Sequence, residues 1–317
     1  MSAIQVLDKT ALQPVTRRIR WRRGVFLALD YGLMIGLALF FIFPVVVMVN
    51  ASFKPEQYVQ ADMHTLYAFA PRQITLQNYT CPNYQNKANW CTMPGIFELV
   101  PFGHILFNSL FVATCGVLAG LLVNSLAAYA LARLRWRGRT LALSVIIALI
   151  IIPFETLAIP LLLLVNSLPW IDGRTTWIDS YHVQIIPFVA DAFSIFLFYQ
   201  FFIGIPKDFD DAAKVDGANQ WMIYWRIIVP LSRPIFATVA ILQFLGFWGG
   251  FLWPLMVTRG AEFRPLTIAM GVLFTTNPRQ WGDIMAYASL VTVPVLIVFL
   301  IFQKWFIQSV ASSGIKG

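Results

Sequence analysis

Six long runs of apolar side chains, nearly free of charge, constrain this 317-residue chain more than any other feature. They cover 25–49, 104–131, 141–165, 183–203, 235–257 and 287–306. A helix needs about 20 apolar residues to cross about 30 Å of hydrocarbon, so each run predicts one crossing. Composition agrees. Apolar residues make up 58% of the chain and charged residues 12%, against roughly 25% charged in a soluble domain. So few charges cannot cover so much apolar surface in water. The expected fold is all-α, a polytopic membrane protein with six transmembrane helices.

Basic residues set the expected orientation. Lys9, Arg17, Arg18, Arg20, Arg22 and Arg23 precede the first run, and Arg133, Arg135, Arg137 and Arg139 follow the second. Lys207, Lys214, Arg226 and Arg233 follow the fourth, and Lys304 and Lys316 close the chain. Most of the 23 Lys and Arg thus fall on one face, which places both termini in the cytoplasm. The formal charge of +8 comes from these clusters. No basic stripe interleaved with stacking aromatics is present, so nucleic acid is not an expected partner. The organisation expected is a basic amino terminus over 1–24, a transmembrane bundle over 25–306 and a tail over 307–317. A retained first span is favoured over a signal peptide: its apolar run is about twice a usual h-region, and no small-x-small site follows.

Pro44, Pro153, Pro160, Pro254 and Pro294 lie inside the runs and predict bends or breaks, since each lacks an N–H. The pairs Gly32/Gly36, Gly116/Gly120 and Gly246/Gly250 are candidates for close helix approach.

The segment between the fourth and fifth runs, 205–234, carries the most information. Pro206 suits a helix start, and Asp208, Asp210 and Asp211 sit near the positive end of its dipole. Gly217 supplies a left-handed terminus. Asn219 can cap a second short helix, along which Trp221, Tyr224, Trp225 and Ile228 recur at helical spacing. Two readings stand on pattern alone: a helix–turn–helix held against the membrane face, and a solvated loop with interfacial aromatics.

The order Asp211-Ala212-Ala213, three residues, Gly217, nine residues, Ile227-Ile228-Val229-Pro230 resembles the EAA motif of binding-protein-dependent ABC permeases. Asp replaces the family's Glu and Val its Leu, without a gap. The phrases Asn124 to Arg133 and Phe251 to Leu255, and the terminal Gly314-Ile315-Lys316-Gly317, are similar to the carbohydrate-uptake branch, most of all its maltose-type second permease subunit. At Trp248-Gly249-Gly250 the chain lacks the Asn-Asp that follows the Trp in many such permeases. The resemblance implies that the loop is a coupling helix seated in a cleft of an ATPase subunit. Asp211 would engage that surface, Gly217 would make the turn, and Ala212, Ala213 and Ala218 would allow close seating. It further implies a second permease subunit, two ATPase subunits carrying ATP and Mg, and an external solute-binding protein. The cargo would be a sugar or sugar-like osmolyte, with glycerol-phosphate compounds as the alternative.

No phosphate-cradling Gly-x-x-x-x-Gly-Lys-Ser/Thr segment occurs, and no His/Cys/carboxylate spacing suits a metal. The chain is therefore expected to bind no cofactor and not to be an enzyme. Ion-coupled secondary carriers need more mid-depth carboxylates than the runs provide. Glu155, after Pro153, either lines a solute path or satisfies backbone donors that the proline frees. Trp248 and Trp253 are candidates for facing the path. The segment 51–103 is expected outside, where disulfides persist. Its Cys81 and Cys91 are either bridged, the favoured reading, or two free thiols.

Overall fold

The computed structural model describes residues 13–81, 94–171, 173–275 and 279–314, and no strand occurs among them. In chain order the principal helices begin with α1 (Gln13–Ser52), α2 (Phe102–Arg133), α3 (Arg139–Ile151) and α4 (Phe154–Ser167). Next come α5 (Tyr181–Val189), α6 (Ala192–Ile203), α7 (Asp208–Val215) and α8 (Gln220–Leu231). The last four are α9 (Arg233–Gly249), α10 (Leu252–Val257), α11 (Leu266–Thr275) and α12 (Trp281–Gly314).

Stretches of 27, 32 and 23 residues in α1, α2 and α12 are long and apolar enough to cross a membrane unbroken. Three further candidates are bent pairs: α3 with α4 at 103°, α5 with α6 at 41°, and α8 with α9 at 80°. Only if each pair counts as one crossing does the number reach six.

The third run, expected as one helix over 141–165, is therefore two nearly perpendicular helices. Pro153 disfavours helical backbone at the residue before it, and Ile152 is extended with ψ 117°. Pro153 itself then precedes α4 with ψ 137°. The fifth run ends earlier than expected. The helix stops at Gly249, Gly250 turns the chain with ψ 124°, and 252–257 is a separate short helix. In the fourth run Asp191 breaks the ladder and caps α6, its Oδ2 accepting from Ser194 N at 2.8 Å. Pro44 and Pro294, by contrast, sit inside continuous helices. The ten-residue, mainly apolar helix α11 was not anticipated. α12 begins at Trp281 and continues to Gly314, through most of the expected tail.

α2 is central, packing against α5, α6 and α9; α9 also packs on α12, α1 on α12 and α3 on α6. Of the three glycine pairs only Gly116/Gly120 makes a close approach within this chain. A Cβ on Gly116 would strike the Phe247 ring, and one on Gly120 the Gln243 amide, whereas Gly32 and Gly36 face nothing. Gly116→Leu is expected to destabilise the bundle by about 1–3 kcal/mol through overpacking, measurable as a lower unfolding midpoint of purified protein. Residues 26–44 of α1 are exposed throughout, so this apolar surface requires lipid or a partner chain to cover it.

The segment after α1 is folded. Asn78 Nδ2 donates to the carbonyls of Ser52 and Lys54, both at 2.8 Å. The Glu56 carboxylate accepts from Trp281 N at 2.9 Å and Gly282 N at 2.7 Å, capping α12. Asp62, fully buried, pairs with buried Lys54 at 3.5 Å and with Arg72 at 3.2 Å. Cys81 is disulfide-bonded and Cys115 is free. Cys91 lies outside the described residues.

Candidate functional site

The loop between α6 and α9 is built by local rules. The first turn of α7 holds Asp208, Asp210 and Asp211. Gly217, at φ 81°, ends it in the left-handed region that glycine tolerates. Gly217 N donates to Lys214 O at 3.0 Å and Ala218 N to Ala213 O at 2.9 Å, the paired bonds of a Schellman turn. Asn219 then caps α8, accepting from Met222 N at 2.8 Å. Residues Tyr224–Ile228 form a π-helical turn.

The two sides of this hairpin differ sharply. Asp210 and Ala213, three apart, face the bundle and are buried. Asp210 Oδ2 pairs with Arg133 at the end of α2, 3.3 Å away, with side-chain exposures of 10% and 2%. Arg133 also donates to Ile205 O at 2.7 Å. Ala213 packs in a core formed with Tyr129, Phe198, Ile223 and Tyr224. Tyr224 Oη and Ser125 Oγ are 2.7 Å apart, and Tyr129 Oη donates to Gln220 Oε1 at 2.8 Å. The opposite side is open: Phe209, Ala212 and Val215 of α7, with Trp221, Met222 and Trp225 of α8, are exposed. Asp211 is exposed beside them. The Lys214 ammonium donates to its Oδ1 at 2.9 Å and holds its carboxyl below the usual carboxylate range.

Ala213, expected on an outward seating surface, therefore belongs to the bundle's interior. Ala212 and Asp211 occupy the outward side, and Ala218 is half-buried at the turn. The expected aromatic stripe splits in two: Tyr224 and Ile228 point in, while Trp221 and Trp225 point out. Arg133 and Asp210 were read only as an orientation signal and a dipole partner. Their pairing across 77 positions has no local signature.

A second feature is a cavity of about 450 Å³ where the broken helices meet. Phe154, Phe188 and Trp253 form one wall, with ring centroids 5.4, 5.8 and 6.1 Å apart. Phe247 extends it, 6.5 Å from Phe188. Gln184, Asp191, Ser194 and Gln243 supply polar groups. Trp253 lines the cavity, its Nε1 donating to Val183 O at 2.9 Å. Trp248 instead stacks on Phe244 and donates to Val291 O at 3.2 Å, in the core shared with α12. Glu155 is exposed at the start of α4 and is not among the lining residues. Gln184 and Gln243 escaped the sequence reading because it sought charges inside the runs, and neutral amides carry none.

Residues 102–312 match the model of the family described as the binding-protein-dependent transport system inner membrane component. The chain belongs to this family. It is 31% identical over 292 residues to the arabinooligosaccharides transport system permease protein AraQ of Halalkalibacterium halodurans, covering 91% of this chain and 97% of that one. It is 30% identical over 295 residues to the sn-glycerol-3-phosphate transport system permease protein UgpE of Yersinia pestis, covering 92% and 98%. In three dimensions it resembles a chain of a bacterial ABC transporter involved in the import of the acidic polysaccharide alginate. The TM-score is 0.68 at 24% identity, with 89% of this chain and 97% of that chain covered. The likeness extends to the fold. This inner-membrane transport component thus carries both the α7–α8 hairpin and the cavity inside its family-matched region.

Proposed function

We propose that this permease is one of two membrane subunits of an ATP-driven importer for a sugar-like solute, working by alternating access. The α7–α8 hairpin lies on the cytoplasmic side, with both termini. Its exposed face, Phe209, Ala212 and Val215 beside Asp211, seats in a cleft of an ATPase subunit. Two such subunits bind ATP and Mg. Their closure pushes the hairpin, and Arg133–Asp210 passes the displacement into α2. A solute-binding protein delivers cargo to the opposite face, where the folded segment 53–81 offers part of the surface. The two access states differ in their contacts with nucleotide on one side and loaded binding protein on the other, which is what lets either ligand shift their populations. The observation that carries this reading is the hairpin's two-sidedness: an apolar, acid-rimmed face left open, and a reverse side ion-paired to the bundle.

The relatives are named for arabinooligosaccharides and for sn-glycerol-3-phosphate, so oligosaccharide cargo is the first reading and a glycerol-phosphate compound the second. Uptake of labelled oligosaccharide by cells expressing the full system is the direct test. Transport should persist under a protonophore while ATP is maintained, and stop when ATP is depleted. Loss of uptake under the protonophore with ATP intact would instead identify an ion-coupled carrier. Within this scheme Ala212→Trp should reduce uptake at least about tenfold while ATP hydrolysis continues, because the bulk lies in the seat and not in the core. Parallel uptake and ATPase assays on reconstituted complex check it; equal uptake in the variant removes Ala212 from the seat.

A further inference from the structure

A separate cavity, also of about 450 Å³, opens where α2 turns into α3. Arg133 at the end of α2 pairs with Asp210, so this turn lies at the hairpin end of the bundle. Arg135, Arg139 and Thr140 supply the cavity's polar groups, Trp136 and Tyr199 its aromatic ones, and Leu141 begins its apolar side. No Asp or Glu lines it. Neither guanidinium has a hydrogen-bond or ion-pair partner among the described residues. Asp211 is the carboxylate within Arg135's influence, but it is held low first by the Lys214 ammonium, 2.9 Å away, and least by Arg135. Two like charges thus share one cavity with no counter-charge of their own. Trp136 is fixed by Nε1, which donates to Ala130 O at 3.2 Å, and stays 45% exposed. The apolar side continues outward along α3. Leu141, Val145 and Leu149, four apart and so on one helix face, are 71%, 50% and 48% exposed, and no residue of α3 is buried.

We propose that this cavity holds the headgroup of an anionic phospholipid, its phosphodiester between Arg135 and Arg139 and its acyl chains along Leu141, Val145 and Leu149. Arginine presents a fork of N–H donors that matches phosphate oxygens, and basic pockets between membrane helices on the cytoplasmic side take lipid headgroups. Trp136 and Tyr199 suit the same depth, since Trp and Tyr favour the boundary between water and hydrocarbon. The sequence of surfaces, charge first and then an apolar stripe, decides between sources of phosphate. A free phosphate would meet the arginines and leave the stripe bare. An acidic peptide lying along α3 would carry backbone N–H and C=O groups into lipid with nothing to bond them. A zwitterionic lipid would bring its own cation toward two others. Tyr199 belongs to α6, on which α3 packs, so the lipid would bridge these two helices beside the hairpin. The inference requires a membrane-spanning chain and is independent of the cargo.

The test uses the assembled transporter, delipidated in detergent and titrated with defined lipids while native mass spectrometry counts those bound. Phosphatidylglycerol is expected to fill a first site at least about tenfold more tightly than phosphatidylcholine. Arg135→Gln/Arg139→Gln should weaken that site at least about tenfold. Thr140→Trp, which fills the cavity and leaves both arginines in place, should weaken it comparably. Arg137→Gln removes a charge from the same turn but outside the lining, and should change affinity less than about twofold. Inorganic phosphate in millimolar excess should leave the lipid bound. The mass of the intact complex reports assembly, and the charge and bulk variants keep the test decisive if one of them misassembles. Equal affinity for the two lipids, or phosphatidylglycerol binding unchanged in both variants, would overturn the site. Equal loss in Arg137→Gln would reduce it to diffuse surface charge, and loss in the arginine pair without loss in Thr140→Trp would move the lipid out of the cavity; either overturns the proposal. Displacement by inorganic phosphate would assign the arginines to a free anion. Absence of any retained phosphatidylglycerol in the parent complex would show that a neighbouring subunit covers this corner, and would also overturn it.

Discussion

Asp210→Ala is expected to lower stability by about 3–5 kcal/mol, the usual cost of stranding one member of a buried ion pair. Arg133, 2% exposed in its side chain, would keep its bond to the Ile205 carbonyl but no counter-charge from α7. The local consequence matters more than the global one. Without Asp210, α7 retains its Schellman turn and the packing of Ala213, but loses the charge contact that ties it to α2. Uptake should therefore fall while ATP hydrolysis survives in the fraction that still assembles. The pair is geometrically imperfect, since Asp210 Oδ1 and Arg133 Nε have no hydrogen-bond partner. Such a pair gives little net stability compared with apolar replacements. The double variant Arg133→Met/Asp210→Leu should accordingly recover most of the lost stability without restoring uptake. Thermal unfolding of the three variants, alongside uptake and ATPase assays, separates these effects. Full uptake in the double variant would show that packing, not charge, links hairpin to bundle.

Asp62→Ala should have a comparable cost, about 3–5 kcal/mol, but confined to the opposite end of α1. Lys54 is 2% exposed and would be left with the Tyr67 carbonyl, 2.6 Å away, and no counter-charge. Arg72, whose side chain is 45% exposed, contributes far less, because solvent screens it. Hydrogen exchange should accelerate across 53–72 while amides of α2 and α9 keep their protection. Lys54→Met/Asp62→Leu should recover the slow exchange. Uniform acceleration across the whole chain would mean that the segment and the bundle unfold as one unit.

The existence of apolar helices was legible because lipid imposes a length and a composition on each, and all six runs contain helix. Their continuity was not. Proline alone predicted bends or breaks alike at Pro44 and Pro294, where the helix continues, and at Pro153, where it turns by 103°. The difference lies in Ile152, extended ahead of Pro153, which needs tertiary support that a local rule cannot see. Gly217 and Asn219 were readable because a left-handed terminus and a cap are written in one or two residues. The facing of Ala213 was not, since adjacent alanines differ by only 100° around a helix and nothing in their identity says which one meets the core. The polar lining of the cavity, by contrast, was available in outline: Gln184 and Gln243 are amides placed inside otherwise apolar runs. What remained hidden was that Gly120, Ser194 and Phe263 orient them.

The Glu56 carboxylate, by seating on the amides of Trp281 and Gly282, does something beyond capping. It ties the exit of α1 to the entrance of α12, two helices that contact each other, so one carboxylate anchors both helix ends, and Glu56→Ala would release them together.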